Sequence, residues 1–119
     1  MFSWFRHGNL EHKDGDSIAE GIGQTRVTEN LKDVPIDDAY RVTDQTALSI
    51  VYQLMCQEGI FVGLSSGINA AGALQLARNG GPGQVIVTLL CDSGIRYMSK
   101  LFNPEWLRAR NLDPDLPIS

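Results

Sequence analysis

The sequence has few residues of the types that build metal sites or disulfide frameworks. It contains two cysteines, Cys56 and Cys91, and two histidines, His7 and His12, among 119 residues. No C-x-x-C or H-x-x-x-H pair is present, so a zinc site is not expected. Because free cysteine is among the most frequently buried residue types, we expect two buried, reduced thiols.

Long apolar runs and an excess of positive charge are also missing. No apolar stretch approaches the roughly 18 residues that a spanning helix requires, and residues 1–12 lack the pattern of a secretory signal. The formal net charge of -4 offers no electrostatic attraction to nucleic acid or to an anionic membrane. We expect a cytoplasmic protein that binds neither nucleic acid nor membranes.

The clearest local pattern in the sequence is a helix over residues 44–58. Thr43 is a suitable N-cap, and apolar residues then recur at three- and four-residue steps along one face. Gly59 is a typical residue to follow a helix C-terminus.

Two short apolar segments around an alanine-rich helix indicate an α/β fold. Segments 60–63 and 85–90 are predicted to be buried strands, and the helix between them covers residues 68–78. Such a succession forms a right-handed parallel βαβ unit. Two or three strands are fewer than a usual sheet, so we expect a partial three-layer sheet.

We interpret residues 1–119 as a single domain in three parts. Residues 1–37 are mostly loop with one short helix at the start, residues 38–111 form the α/β core, and residues 112–119 form a tail. The core contains three further short elements, a strand over residues 39–42 and helices over 95–101 and 105–110.

The segment Gly63-Leu64-Ser65-Ser66-Gly67 matches the G-x-S-x-G pattern of a hydrolase nucleophile. That chemistry requires a histidine after the serine, whereas both histidines of this chain precede Ser65. The pattern alone therefore favours a turn of small residues that starts a helix.

Polar groups follow both predicted strands, Ser65 and Ser66 after the first, and Cys91, Asp92 and Ser93 after the second. Ligands of open α/β sheets bind at the carboxyl ends of the strands, so these residues could form one side of a pocket. They could equally be capping turns, since serine and aspartate are favoured N-caps.

Two further groups of residues are weaker candidates. The glycines of Gly21-Ile22-Gly23 allow close backbone approach to a ligand, but no further glycine or P-loop lysine follows at the required positions. Arg96, Tyr97 and Lys100 could bind an anion, although a solvated helix face is the more common explanation.

Four motifs occur in order along the chain, Ser17–Gln24 (SIAEGIGQ), Glu58–Gly67 (EGIFVGLSSG), Cys91–Tyr97 (CDSGIRY) and Lys100–Glu105 (KLFNPE). Together they resemble the C-terminal portion of the cysteine synthase (O-acetylserine sulfhydrylase) family, to which cystathionine β-synthase is related. The resemblance runs over residues 1–111.

The resemblance implies a fold-type II pyridoxal-phosphate enzyme, with the tryptophan synthase β-like fold and an active site between two α/β domains. The implied reaction is β-elimination of acetate from O-acetylserine followed by addition of sulfide, which yields cysteine. The family's Schiff-base lysine, substrate-carboxylate loop and glycine-rich phosphate loop lie upstream of the matching portion. They have no counterpart in residues 1–119.

The resemblance also assigns cofactor-binding residues. Ser65 matches the serine whose hydroxyl bonds the pyridine nitrogen, and Gly21-Ile22-Gly23 matches the loop on the substrate side of the cofactor. Cys91 and Asp92 match residues beside the ring, although many relatives have proline where Cys91 stands. No catalytic residue and no metal ligand is assigned.

We therefore expect a cysteine synthase-like part of a pyridoxal-phosphate-dependent enzyme, inactive as an isolated chain and not binding the cofactor alone. Its partner would be a complementing chain or further copies of itself. The alternative is a non-catalytic module that acts through oligomerisation or another interaction.

Overall fold

The computed structural model describes residues 2–10, 17–20, 22 and 26–117, and the regular elements within them are helices. In chain order these are α1 (Phe2–His7), α2 (Glu29–Lys32), α3 (Asp44–Glu58), α4 (Leu64–Gly80), a 3₁₀ helix (Gly94–Tyr97) and α5 (Pro104–Arg108). The chain divides into two compact units, residues 1–41 and 42–119. The interpretation as a single domain stays a prediction.

The first unit contains α1 and α2, and its contacts centre on Arg6. The Arg6 guanidinium pairs with the Asp38 carboxylate and donates to the Ala39 carbonyl at 3.3 Å. The same guanidinium lies 5.8 Å from the ring centroids of both Phe2 and Phe5, within range of a cation–π interaction. Residues 39–42, where a strand was expected, form no strand.

In the second unit, α3 begins and ends where the sequence predicts. The hydroxyl of Thr43 accepts a hydrogen bond from the Thr46 amide at 3.1 Å, and Gly59 follows the helix with φ of 69°. The helix contributes much of the core through Ala47, Leu48, Ile50 and Val51, which are almost fully buried. The predicted helix over residues 44–58 is confirmed.

The helix α4 packs closely against α3 at Gly67. A Cβ atom at Gly67 would overlap the carbonyl oxygen of Ala47 and would lie 2.8 Å from the Cγ2 atom of Val51. The helix is longer than predicted, because the Ser65-Ser66-Gly67 segment forms its first turn and not a separate turn before it. The small residues of this segment therefore serve helix packing.

The predicted partial sheet with its parallel βαβ unit is not confirmed. Among the described residues, the β-pairing is an isolated antiparallel bridge between Val62 and Ser93. Residues 85–90 form no strand, and Val85 and Val87 are 93% and 87% exposed, although burial was expected. A strand needs neighbouring strands that pair with its backbone groups, and among the described residues none pairs with residues 85–90.

We expect the substitution Gly67→Ala to lower the free energy of unfolding of the 42–119 unit by about 1–3 kcal/mol, because the added methyl group must displace α3. Gly72→Ala in the same helix is the matched control, since a Cβ atom there has no neighbour within 4 Å. The control should raise stability by about 0.5–1 kcal/mol, the helical cost of glycine. Urea unfolding followed by circular dichroism measures both, and equal midpoints would contradict the packing role of Gly67.

Candidate functional site

Hydrogen bonds join residues 61–66, at the start of α4, to residues 91–94, at the start of the 3₁₀ helix. Three of them have backbone donors, from Gly63 N–H to the Asp92 carbonyl (3.0 Å), from Gly94 N–H to the Phe61 carbonyl (3.2 Å) and from Cys91 N–H to the Ser66 hydroxyl (2.9 Å). The structure thus brings together the polar residues that follow both predicted strands.

Side chains of α4 bind the backbone just before this segment as well. The Asn69 amide donates to the Leu89 carbonyl at 3.0 Å, and the same amide nitrogen lies 3.5 Å from the Cys91 Sγ atom. The Ser66 hydroxyl, which accepts from Cys91, is completely buried. The side chains of Ser66 and Asn69 therefore hold the backbone of residues 89–91 against α4.

The Asp92 carboxylate connects two hydroxyl groups. Its Oδ2 atom accepts a hydrogen bond from the Tyr97 hydroxyl at 2.6 Å, and its Oδ1 atom lies 3.4 Å from the Ser65 hydroxyl. Ser65 is in the first turn of α4, and Tyr97 is the last residue of the 3₁₀ helix. We call Gly63, Ser65, Asp92 and Tyr97 the hydroxyl–carboxylate cluster.

Gly63 makes this cluster possible. A Cβ atom at Gly63 would lie 2.5 Å from the Asp92 Oδ1 atom and 2.5 Å from the Tyr97 Cε2 atom. The carboxylate and the ring therefore occupy space that any other residue at this position would fill. From the sequence, Gly63 was expected to end a strand and begin a turn, and Tyr97 was expected to bind an anion or to lie on a solvated face. The available signal was a tyrosine five residues after an aspartate, which is weak by itself.

The predicted site residues lie in both units. Ser65 and Asp92 are half-buried, and Cys91 is exposed. Ile22 belongs to the first unit and is 45% exposed, whereas Gly21 and Gly23 lie outside the described residues.

The expectation of two buried thiols is wrong. Cys56 and Cys91 are free cysteines, and both are exposed. Cys91 directly follows the exposed segment 85–90, so it lacks the cover that a strand in a sheet would have. Cys56 lies in the last turn of α3, where the neighbouring residues Gln57 and Glu58 are exposed too.

The described ranges hold no group of three or more histidine, cysteine, aspartate or glutamate residues that could bind a metal ion. None of the helices described is both long and apolar enough to cross a membrane.

A cavity of about 590 Å³ lies elsewhere in the second unit, between α3, α5 and the residues that follow α5. Its lining includes Tyr52, Leu107 and Arg108. The Gln45 side chain holds the chain beside it, because its amide donates to the Asp113 carbonyl and its oxygen accepts from the Asp113 amide at 3.1 Å. None of the predicted site residues that the structure describes lines this cavity.

Residues 1–92 match the family model described as pyridoxal-phosphate dependent enzyme. The chain belongs to this family. The resemblance to cysteine synthases that the four motifs carry is confirmed, and with it the fold-type II group of pyridoxal-phosphate enzymes.

Three curated relatives show the degree of similarity. Cysteine synthase 2 of Schizosaccharomyces pombe is 46% identical over 116 residues, which cover 96% of this chain and 29% of that protein. Cysteine synthase 1 of Neurospora crassa is 40% identical, with 98% of this chain and 32% of that protein covered. Cysteine synthase of Dictyostelium discoideum is 42% identical, with 80% and 25% covered. The chain thus spans between a quarter and a third of the length of these relatives.

Replacing Ser66 by alanine is expected to release residue 91 from α4. The Ser66 hydroxyl is buried and accepts the Cys91 amide hydrogen, so its loss should lower the free energy of unfolding by about 1–2 kcal/mol. Hydrogen exchange at the Cys91 amide should become faster. Ser99→Ala is the control, because Ser99 is exposed. Unchanged exchange at Cys91 in Ser66→Ala would show that this bond does not hold the segment.

Because of Tyr52, the stability of the second unit should decrease at alkaline pH. Burial raises the pKa of the Tyr52 hydroxyl above its ordinary value of 10.0, and the negative charges of Asp115 and Cys56 raise this pKa further. The unfolded chain therefore loses this proton at a lower pH than the folded chain does. The contribution of Tyr52 to the free energy of unfolding is fully present below the pKa that this hydroxyl has in the unfolded chain. It is lost as the pH rises through the pKa of the same hydroxyl in the folded chain.

We therefore expect the free energy of unfolding of Tyr52→Phe to fall less steeply above about pH 10 than that of the unsubstituted chain. Below about pH 9 the difference between the two proteins should be constant, because Tyr52 is protonated in both states there. Urea unfolding across this pH range measures the effect, and parallel curves above pH 10 would contradict it.

Proposed function

We propose that this chain provides the side of a pyridoxal-phosphate site that contacts the pyridine ring, as part of a cysteine synthase-type enzyme. The observation that carries the proposal is the hydroxyl–carboxylate cluster, in which Ser65 and Asp92 meet although 27 positions separate them. The chain belongs to the pyridoxal-phosphate family, and a shared role in binding the cofactor would explain why the segments of Ser65 and Asp92 are held together.

The chemistry of the cluster fits the ring nitrogen of the cofactor. A serine hydroxyl can donate or accept one hydrogen bond, which is what a pyridine nitrogen requires of its partner. Ser65 is half-buried, and its helix is held firmly by the close contact at Gly67. In the proposal Ser65 binds the ring nitrogen, and Cys91 and Asp92 lie beside the ring. The assignment of Gly21-Ile22-Gly23 to the substrate side stays a prediction from the resemblance.

When bound, pyridoxal phosphate supplies the electron sink for bond breaking and formation at the β-carbon of the substrate. The residues of this chain orient the ring, and the resemblance places the Schiff-base lysine and the phosphate loop in an upstream portion. Catalysis therefore requires further polypeptide, on the same chain or on another. O-acetylserine and sulfide are the proposed substrates, and a cytoplasmic location stays a prediction.

The exposed segment 85–90 supports this need for further polypeptide. Val85, Val87 and Leu89 are 93%, 87% and 74% exposed, at alternate positions as on one face of a strand. A soluble protein rarely leaves such a row of apolar side chains uncovered. We propose that the segment becomes a strand of the family's sheet when neighbouring strands of the enzyme pair with it.

The same segment is the observation that favours the alternative function, a non-catalytic oligomerising module. Unpaired strand edges also pair with second copies of a chain. In that case isolated chains would form a stable dimer in which the segment is protected from hydrogen exchange, and added cofactor would not bind.

The test is a chimera in which this chain replaces the matching segment of the Schizosaccharomyces pombe relative. We expect the chimera to bind pyridoxal phosphate and to form cysteine from O-acetylserine and sulfide, and the isolated chain to do neither. Ser65→Ala in the chimera should reduce kcat/KM roughly tenfold or more, because one oriented polar contact to the cofactor is lost. Ser99→Ala serves as the matched control.

Three results would count against the proposal. A folded chimera without bound cofactor would overturn the placement of the site. Cysteine formation by the isolated chain would overturn the requirement for further polypeptide. A stable dimer of the isolated chain, together with a folded chimera that lacks activity, would favour the oligomerising module.

A further inference from the structure

We propose that the cavity between α3, α5 and the residues after α5 binds a zwitterionic α-amino acid with a bulky apolar side chain. Its volume of about 590 Å³ lies within the range of small-molecule binding sites. The cavity belongs to the second unit and shares no residue with the hydroxyl–carboxylate cluster. It is therefore a second site, and the inference does not rest on the proposed function.

The chain after α5 is held in place as one wall of this cavity. The Leu112 amide donates to the Leu107 carbonyl at 3.1 Å, and the backbone turns at Asn111, which has φ of 55°. The Gln45 side chain binds the backbone of Asp113 through both its amide and its carbonyl oxygen. A wall that is fixed before a ligand arrives lowers the entropy cost of binding.

One part of the lining is apolar. Leu107 is 1% exposed and belongs to the core, whereas Tyr52 and Leu112 are half-buried. The Tyr52 hydroxyl donates to a main-chain carbonyl at 3.1 Å, so the ring is the part of this side chain that a ligand can contact. Two prolines, Pro104 and Pro114, complete the apolar lining. This surface suits an apolar side chain of a ligand.

Opposite charges also line the cavity without neutralising one another. Among the described residues, neither the Arg108 guanidinium nor the Asp115 carboxylate takes part in a hydrogen bond or an ion pair. Asp115 lies close enough to Tyr52 for its negative charge to raise the pKa of the Tyr52 hydroxyl. The negative charge is therefore beside the apolar lining, and both charges can bind groups of a ligand.

An α-amino acid carries the three groups that match this lining. A guanidinium binds a carboxylate through two parallel hydrogen bonds, which assigns the ligand carboxylate to Arg108. A carboxylate accepts hydrogen bonds from an ammonium group, which assigns the ligand ammonium to Asp115. A ligand with only one of these charges would leave the other protein charge unmatched, and a ligand without an apolar group would leave Tyr52 and Leu107 uncovered.

The test is a calorimetric titration of the full chain with L-phenylalanine. We expect saturable binding to one site. Phenylpropionate lacks the ammonium group and phenethylamine lacks the carboxylate, so each should bind roughly tenfold or more weakly, because one charge-assisted contact is lost. The chimera is titrated in parallel, since the rest of an enzyme completes the fold there.

Substitutions then locate the binding site. Arg108→Gln and Asp115→Asn should each weaken L-phenylalanine binding roughly tenfold. Both residues are exposed, so the circular dichroism of the variants should equal that of the unsubstituted chain. Arg78→Gln is the matched control, because Arg78 lies in the last turn of α4 and does not line the cavity. It should leave the affinity unchanged.

The outcomes separate this inference from the proposed function. No saturable binding of L-phenylalanine to either the chain or the chimera would overturn the inference. So would an affinity that stays the same in Arg108→Gln and Asp115→Asn, because the amino acid would then bind elsewhere. Equal affinities for phenylpropionate and L-phenylalanine would overturn the assignment of a zwitterion. A chimera without bound cofactor would overturn the proposed function and leave the inference standing.

Discussion

The buried hydrogen bond between Ser66 and the Cys91 amide is the interaction on which the candidate site depends. It joins Ser66 in α4 to Cys91, which lies 25 positions later in the chain, and Ser66 is completely excluded from solvent. The position of α4 depends in turn on the contact at Gly67, where the absence of a side chain lets it approach α3. Helix packing therefore determines where Asp92 lies, and Asp92 determines which groups surround Ser65.

The exposed segment 85–90 shows what this unit lacks. Its backbone is bound at Leu89 by the Asn69 amide, but the side chains of Val85, Val87 and Leu89 are largely exposed. An extended apolar segment gains stability only when neighbouring strands bind its backbone and shield its side chains. The chain spans 29% of its relative from Schizosaccharomyces pombe, and under the proposed function the rest of such an enzyme would supply those strands.

The cluster around Asp92 joins a serine hydroxyl, a carboxylate and a tyrosine hydroxyl that come from two segments of the second unit. The space for that arrangement exists because Gly63 has no side chain, which links the electrostatics of the site to backbone packing.

The sequence by itself determined the local features and the family of this protein. The capping by Thr43, the apolar period of α3 and the stop at Gly59 act between residues a few positions apart, so they could be read directly. The order of four motifs was enough to recognise the cysteine synthases. Only the tertiary structure decided that residues 85–90 are unpaired, that Cys91 is exposed, and that Tyr97 binds Asp92. These features depend on which segments that are distant in the sequence come into contact. Whether a residue is buried or paired is determined by both contacting segments, so the pattern of one segment alone cannot predict it.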